Sequence, residues 1–373
     1  MLKVVLTVTN DIATDNRLHK IASTLLMNGY EVTVVGRLLK HSPQVNDRDY
    51  KVRRLKLWFK RGPLFYINYN LVLFFYLVKN RYKVVVSNDL DTLLACYLST
   101  KINKAVLVFD SHEYFTGVPE LVDRNFVRGI WKALEKWLIP KLKYAYTVSG
   151  MIANKYFEEY KIDFKIIRNA GTFRFDNEFE MEKDETEKQT IIYQGVLNKG
   201  RGLETMIEAM KYIDNCNLQI IGDGDIEEEL HRLVNYFGLA SRVHFLGRLP
   251  HKELWQYTHK ADLGISLEED LGENYRFALP NKLFDYIQAR IPVLVSDLPE
   301  MKNVVDTYQI GEIAIYREPE LIAEQIKRML SDTEKRSVWK TNLELAAREL
   351  CWQREEEKLI QLFRRARLDA VGY

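Results

Sequence analysis

The sequence predicts an α/β chain built of two doubly wound parallel sheets in tandem. Length points to two domains, because 373 residues exceed what one hydrophobic core commonly serves. Alternation points to parallel sheets, since short β-branched runs trade places with helical periodicity along nearly the whole chain. A lapse of that alternation into charge between Gly171 and Gln189 marks the boundary, with Asp184, Glu185, Glu187 and Lys188 clustered there.

In the first half the strand candidates are residues 3–8, 31–35, 83–87, 105–110, 144–148 and 164–167. Leu18, Ile21, Ala22, Leu25 and Leu26 recur at helical spacing after Asn16, and Gly29 is a suitable stop. The second series of strands falls at 190–194, 217–221, 242–246, 262–267, 292–296 and 312–315. Residues 333–368 read as helix throughout, with Trp352, Leu359, Leu362 and Phe363 as a packing face.

With 47% hydrophobic residues the chain has enough apolar surface for two cores. Cys96, Cys216 and Cys351 are odd in number, far apart and without zinc spacing, which predicts reduced, buried thiols and a cytoplasmic setting. The opening MLKVVLTVTND reads as a strand, not as a signal peptide. Residues 64–78, the most apolar stretch, fall short of the ~20 residues that span a bilayer.

Charge is distributed unevenly. Residues 1–165 hold 26 Lys/Arg against 15 Asp/Glu, and the remainder holds 28 against 37. Nine of the basic residues lie between Arg37 and Arg61, directly before the aromatic run FYINYNLVLFFY. Such a basic, aromatic stretch suits anionic lipid headgroups, and equally suits a buried helix beside a solvated loop. No nucleic-acid recognition motif accompanies the charge.

In doubly wound sheets ligands bind beyond the carboxyl ends of the strands, so polar residues after strand runs are the first candidates. Tyr193-Gln194-Gly195-Val196-Leu197-Asn198-Lys199-Gly200-Arg201-Gly202 joins a strand to a helix. Its glycines permit close backbone approach, and Lys199 and Arg201 bring positive charge to a helix start, a composition suited to a diphosphate. A GxGxxG opening the first βα unit is absent, as is GxxxxGK[ST], which disfavours an NAD enzyme or a P-loop kinase. In Pro280-Asn281-Lys282-Leu283-Phe284-Asp285, proline suits a helix start, Asn281 and Lys282 point to a polar ligand, and Asp285 is suited to a ribose diol. Lys282 and Asp285 are also spaced as an ordinary surface pair. Asp110, His112 and Glu113 end another strand. Asn10 and Asp11, and Asn88 and Asp89, follow two more, where each pair reads as a ligand group or a helix N-cap.

Together these segments resemble glycosyltransferase family 4. The resemblance runs from DNRLHKIASTLLMNGYEVTVVG through VFDSHE, IIRNAG, YQGVLNKGRGLETMIEAM, LQIIGDGD, VHFLGRL and ADLGISL to LPNKLFDYIQARIPVLVS, and is similar to bacterial surface-polysaccharide transferases. It implies a GT-B fold, with two Rossmann-like domains facing across a cleft: residues 1–168 for the acceptor, residues 169–345 for a nucleotide sugar, and a helix at 346–373 crossing back to the first domain. The resemblance places Gly195, Lys199, Arg201, Asn169, Asn281, Lys282 and Asp285 at the donor. His112 corresponds to the histidine that contacts the transferred sugar, so that His112, Arg201 and Lys282 are its catalytic residues. Asn10, Asp11, Asn88, Asp89 and Glu113 lie on the acceptor side.

The sequence departs from the family at several points. The first glutamate of the paired motif falls at Phe277, so its role is vacant or taken by Glu268 or Glu269. The second is Asp285. Val196 stands where arginine is usual, and Thr9-Asn10-Asp11 replaces an early Gly-Gly turn.

The activity implied is retaining transfer of a hexose from a UDP- or GDP-type donor to a glycan or lipid-linked acceptor, without metal or other cofactor. It implies a cytoplasmic enzyme of polysaccharide synthesis, with peripheral contact at the inner membrane face. A nucleotide-sugar epimerase of the same fold, or a non-catalytic glycan-binding scaffold, are the alternatives.

Overall fold

A computed structural model describes residues 1–39, 42, 44, 45, 48–118, 121, 124–174 and 188–372. Asp184, Glu185 and Glu187 of the expected linker lie outside the described residues. Two units divide the chain: Met1–Arg168 with Glu355–Tyr373, and Asn169–Arg354.

The first unit holds β1 (Leu2–Thr7), β2 (Tyr30–Arg37), β3 (Lys51–Leu55), β4 (Val84–Asn88), β5 (Val106–Ser111), β6 (Tyr144–Thr147) and β7 (Lys165–Ile166). They pair in parallel in the order β3-β2-β1-β4-β5-β6-β7. Helices α1 (Asn16–Met27), α2 (Gly62–Asn80), α3 (Leu90–Asn103), α4 (Asn125–Leu138) and α5 (Gly150–Tyr160) follow the strands. Val4, Val5 and Leu6 of β1 are fully buried in succession, as a central strand covered on both faces requires. Asp15 starts α1 by accepting the Leu18 N–H at 2.9 Å, and Gly29, at φ 79°, turns the chain into β2.

Strand β3 was not among the sequence expectations. Three of its five residues are cationic and only Leu55 is buried, so it carries no apolar period. It forms because β2 offers a free edge, and the charge suits a strand with one side unpaired.

The second unit repeats the plan with β8 (Gln189–Gln194), β9 (Cys216–Ile221), β10 (Val243–Gly247), β11 (Leu263–Ser266), β12 (Val293–Ser296) and β13 (Gly311–Ala314). All are parallel, in the order β10-β9-β8-β11-β12-β13. In each sheet the winding reverses beside its first strand, at β1/β4 and at β8/β11. Crevices beyond the carboxyl ends of such pairs are where doubly wound sheets hold ligands.

The tail is not one helix. Helix Thr333–Glu349 ends at Leu350, and a second, Trp352–Val371, begins after Cys351. Gln288 Nε2 holds the first end by donating to the carbonyls of Ala347 and Leu350, at 2.9 and 3.1 Å. Leu343, Ala346, Ala347 and Leu350 are buried in one cluster with Leu283, Phe284 and Ile287, so residues 346–354 stay with the second unit. The return to the first unit therefore falls at Glu355, nine residues later than the break expected at 346. There Phe363, 1% exposed, packs edge-on against Tyr30 at 6.1 Å, and the Tyr30 hydroxyl donates to the Phe363 carbonyl.

Replacing Phe363 by Ala should cost about 3–5 kcal/mol of stability, because a buried aromatic leaves a cavity. Urea unfolding followed by circular dichroism measures it, and a loss below 1 kcal/mol would detach this helix from the first core.

Candidate functional site

At the carboxyl end of β11, Glu268 is buried to 1% exposure between two cations. Its Oε1 accepts from Lys282 Nζ at 3.0 Å and lies 3.6 Å from Arg201 Nη1, while Ser266 Oγ donates to Oε2 at 2.7 Å. Burial alone would raise the Glu268 pKa, but Lys282 and Arg201 outweigh it and hold the carboxyl below its ordinary value. One carboxylate between two cations leaves the group with a net positive charge. Lys282 Nζ also sits 3.8 Å from the centre of the Tyr193 ring, and the Arg201 guanidinium lies 5.0 Å from that of Tyr275. Arg201 Nε is buried and has no hydrogen-bond partner among the described residues.

Gly195 follows β8 with φ 140°, and a Cβ built there would stand 3.4 Å from Lys282 Cε. Gly202, before helix Leu203–Ala209, has φ 71°, and a Cβ there would collide with the Leu267 carbonyl oxygen. The loop that carries Arg201 is thus pressed against the β11 end, and only glycine fits there. Lys199 is exposed on the same loop, its carbonyl accepting from the Tyr275 hydroxyl at 3.2 Å.

Helix Asn281–Gln288 starts after Pro280 and brings in Lys282 and Asp285. These two do not act as the surface pair that their spacing allowed: Lys282 is buried against Glu268, and Asp285 Oδ2 accepts from Gln194 Nε2 at 2.7 Å. Asn281 is exposed. Asn169 Oδ1 is buried with no hydrogen-bond partner among the described residues, and Gly171, two residues on, packs against Asp285 and Gln288.

Four further residues build this site without having been singled out in the sequence. Thr258 Oγ1 donates to Gln194 Oε1 at 2.7 Å, so Gln194 is held at both ends of its amide and fixes Asp285. The Arg317 guanidinium donates to the carbonyls of Leu267 and Glu268 at 2.9 and 2.7 Å, and Ser296 Oγ donates to the latter at 2.6 Å. Of the two acids named for the missing glutamate, Glu268 is the one whose carboxylate lies beside Lys282 and Arg201. Glu269 contributes its backbone N–H to the Gly200 carbonyl, and Phe277 is buried.

The first unit gathers charge of both signs at the ends of β4 and β5. Asp110, fully buried, is bound by Arg17 at 2.8 and 3.2 Å and by His112 Nε2 at 2.9 Å. Burial opposes ionisation, but Arg17 and His112 prevail and take the Asp110 pKa down to about 2. For His112, burial likewise opposes charge, yet Asp110 and Asp89 lift its pKa to about 9. Asp89 accepts the His112 backbone N–H at 2.8 Å, and its own backbone is in a region that glycine favours, φ 61°, ψ 169°. Strain of this kind persists only where surrounding bonds enforce it, and it concentrates at functional sites.

The remaining acceptor-side candidates have mixed fates. Asp11 caps the short turn at Ala13 and pairs with Arg54 at 2.9 Å, and the carbonyl of Asn10 accepts from the Arg37 N–H. Asn88 Nδ2 donates to the Thr7 carbonyl, while its Oδ1 is buried with no partner among the described residues. The Glu113 carbonyl accepts from Ser111 Oγ. Asp91, missed in the sequence, is buried beside Thr9 with a pKa raised by burial to about 7.

Two family models match the chain, one after the other. Residues 15–170 match Glycosyltransferase Family 4, and residues 174–345 match Glycosyl transferases group 1. The chain is a family 4-like glycosyltransferase. No curated protein matches it. Among solved structures, this GT-B glycosyltransferase is similar to sucrose-phosphate synthase from Thermosynechococcus elongatus, at 16% identity and TM-score 0.79 over 98% of this chain and 99% of that one. It is similar also to Anabaena HepE in complex with UDP-glucose, at 13% identity and TM-score 0.73 over 97% and 99%. A third is WaaG, a glycosyltransferase involved in lipopolysaccharide biosynthesis, at 16% identity and TM-score 0.71 over 95% and 98%.

The glycosyltransferase's His112 should titrate near pH 9 in an NMR pH series. Its raised pKa contributes stability that is complete below the ordinary 6.5 and fades as pH rises through about 9. In Asp110→Asn the midpoint should fall by more than a unit, and an unmoved midpoint would remove Asp110 as its cause.

Proposed function

We propose that the glycosyltransferase moves a hexose from a UDP- or GDP-type sugar donor to a glycan or lipid-linked acceptor, with retention and without a metal. Its setting in this reading is cell-surface polysaccharide synthesis on the cytoplasmic side of a membrane, with the basic first unit in peripheral contact. One observation carries the donor assignment: Arg201 and Lys282 share a single buried carboxylate at the β8/β11 switch point, leaving one positive charge uncompensated. A nucleoside diphosphate supplies the missing negative charge. The UDP and UDP-glucose complexes of HepE, a protein of the same fold, favour that ligand class.

As the bond from the sugar to the diphosphate breaks, negative charge grows on the departing oxygens. Arg201 and Lys282 stand ready for it, and preorganised cations of this sort stabilise such charge without reorganisation. Asp285, oriented by Gln194, takes the ribose diol, and Asn169, Asn281, Gly195 and Lys199 complete the donor contacts. Protonated His112 contacts the transferred sugar. Asn10, Asp11, Asn88, Asp89 and Glu113 serve the acceptor, whose hydroxyl attacks from the face the diphosphate leaves.

Hydrolysis assays with UDP-, GDP- and CMP-sugars test the donor class, and inactivity with all of them would overturn the reading. Arg201→Ala should lower kcat/KM by about 2.7–4 kcal/mol in transition-state terms. Near-normal transfer by that variant would remove Arg201 from the mechanism. Asp285→Asn should weaken nucleotide binding by about 1.5–3 kcal/mol, the worth of a hydrogen bond to a charged group, as titration calorimetry measures.

A further inference from the structure

Behind His112, the segment that follows β5 is tied down by charges that take no part in the chemistry proposed above. Tyr114 and Thr116, 2% and 1% exposed, turn into the unit, where fully buried Glu135 of α4 meets them. Glu135 Oε1 accepts from Lys132 Nζ at 2.7 Å and from the Tyr160 hydroxyl at 2.5 Å, and its Oε2 accepts from Thr116 Oγ1 at 3.0 Å. Lys132 Nζ reaches on to the Tyr114 hydroxyl at 2.9 Å and to Glu159 Oε2 of α5 at 2.5 Å. Arg128, one turn earlier on α4, donates from Nε to the Thr116 carbonyl at 2.9 Å. On the near side of His112, Ser111 Oγ donates to the Glu113 carbonyl at 2.8 Å and lies 3.3 Å from the Tyr156 hydroxyl. Residues on both sides of the imidazole are therefore bonded to α4, to α5 or to each other.

Such a network is a poor source of stability. Desolvating a carboxylate and an ammonium costs about as much as their attraction returns, and apolar side chains of similar volume often serve a fold as well. Burial opposes the Lys132 charge, but Glu135 and Glu159 prevail and raise its pKa. Cohesion is present without these ions: Phe115 packs edge-on against Trp131 of α4 at 5.0 Å, and Tyr156 of α5 stacks on Phe164 at 4.3 Å. What directional bonds add to that packing is a single course for the backbone. The course matters at His112, whose Nε2 lies 2.9 Å from Asp110 and whose Nδ1 lies 3.5 Å from Asp89.

We propose that Glu135, together with Lys132, is a positioning residue: the pair fixes the course of residues 113–116 so that the His112 imidazole stays between Asp110 and Asp89. The proposal rests on the functional reading only in giving His112 its place at the sugar.

Lys132→Met with Glu135→Gln in the full chain provides the test, because it removes one charge of each sign and keeps an amide oxygen for Tyr160 and Thr116. The thermal melt should stay close to the parent's, while the His112 midpoint in an NMR pH series falls by about one unit, a tenfold weaker hold on the ring proton. The other charges that act on the ring, Asp110, Asp89 and Arg17, are untouched. Thr116→Val removes one hydroxyl at nearly constant shape and should move the midpoint the same way by a smaller amount, which keeps the proposal testable if the double variant does not fold. Calorimetric binding of UDP and GDP should equal the parent's, since Arg201, Lys282 and Asp285 lie in the other unit. Sugar-nucleotide hydrolysis should lose about tenfold in kcat with KM unchanged. The midpoint is read without substrate, so a failed donor assignment and a failed positioning role give different results. An unmoved His112 midpoint in the folded variants would overturn the proposal, whatever happens to the melt, and would leave the network the plain task of joining α4 to α5.

Discussion

The geometry beyond the ends of β8 and β11 depends on one buried ion pair, Glu268 with Lys282. A carboxylate at 1% exposure is costly to desolvate, and it stays ionised only because an ammonium lies at 3.0 Å and a hydroxyl donor at 2.7 Å. The reverse dependence is equally strict, since Lys282 is itself 7% exposed and would be an isolated buried cation without Glu268. Arg317 and Ser296 clamp the Glu268 carbonyl, fixing the backbone from which the carboxylate projects. The positive charge is thereby positioned before any ligand arrives, which is the condition under which electrostatic stabilisation is most effective.

The first unit uses the same topology with the roles of the charges exchanged. There a buried aspartate, Asp110, is the centre, and Arg17 and His112 are the groups it holds. Ionised Asp110, with Asp89 beside it, keeps the imidazole protonated well past neutrality, so its ring nitrogens donate. The strained backbone of Asp89 belongs to the same arrangement, because the Asp110 backbone carbonyl accepts the Asp89 N–H at 2.8 Å while the Asp89 carboxylate accepts the His112 N–H.

Strands buried on both faces were legible in the sequence because they are short continuous apolar runs, and β8 and β11 were located to within a residue or two. The edge strand β3 was not, since Lys51, Arg53 and Arg54 hide its period and its pairing is supplied by β2. Arg201 and Lys282 were legible through position, the first following a strand end and the second opening a helix, and Asp285 lies one turn into that same helix. Gln194, Thr258, Ser296 and Arg317 were not, because their roles come from partners 28 to 91 residues away in the chain. Glu268 was named only as one of two adjacent acids; the alternating orientation of an extended backbone decides which of them meets Lys282, and that phase cannot be read where the apolar run ends.

The distribution of chain between the units has a consequence for synthesis. Leu359, Phe363 and Ala366 are fully or almost fully buried in the unit that begins at Met1, and Glu355 accepts the backbone N–H of Arg168. On the ribosome, the segment made first therefore waits with an uncovered apolar groove while all of residues 169–354 emerge and close their own sheet. The amino-terminal unit begins folding first and is completed last, and its open interval is set by the time taken to translate its neighbour.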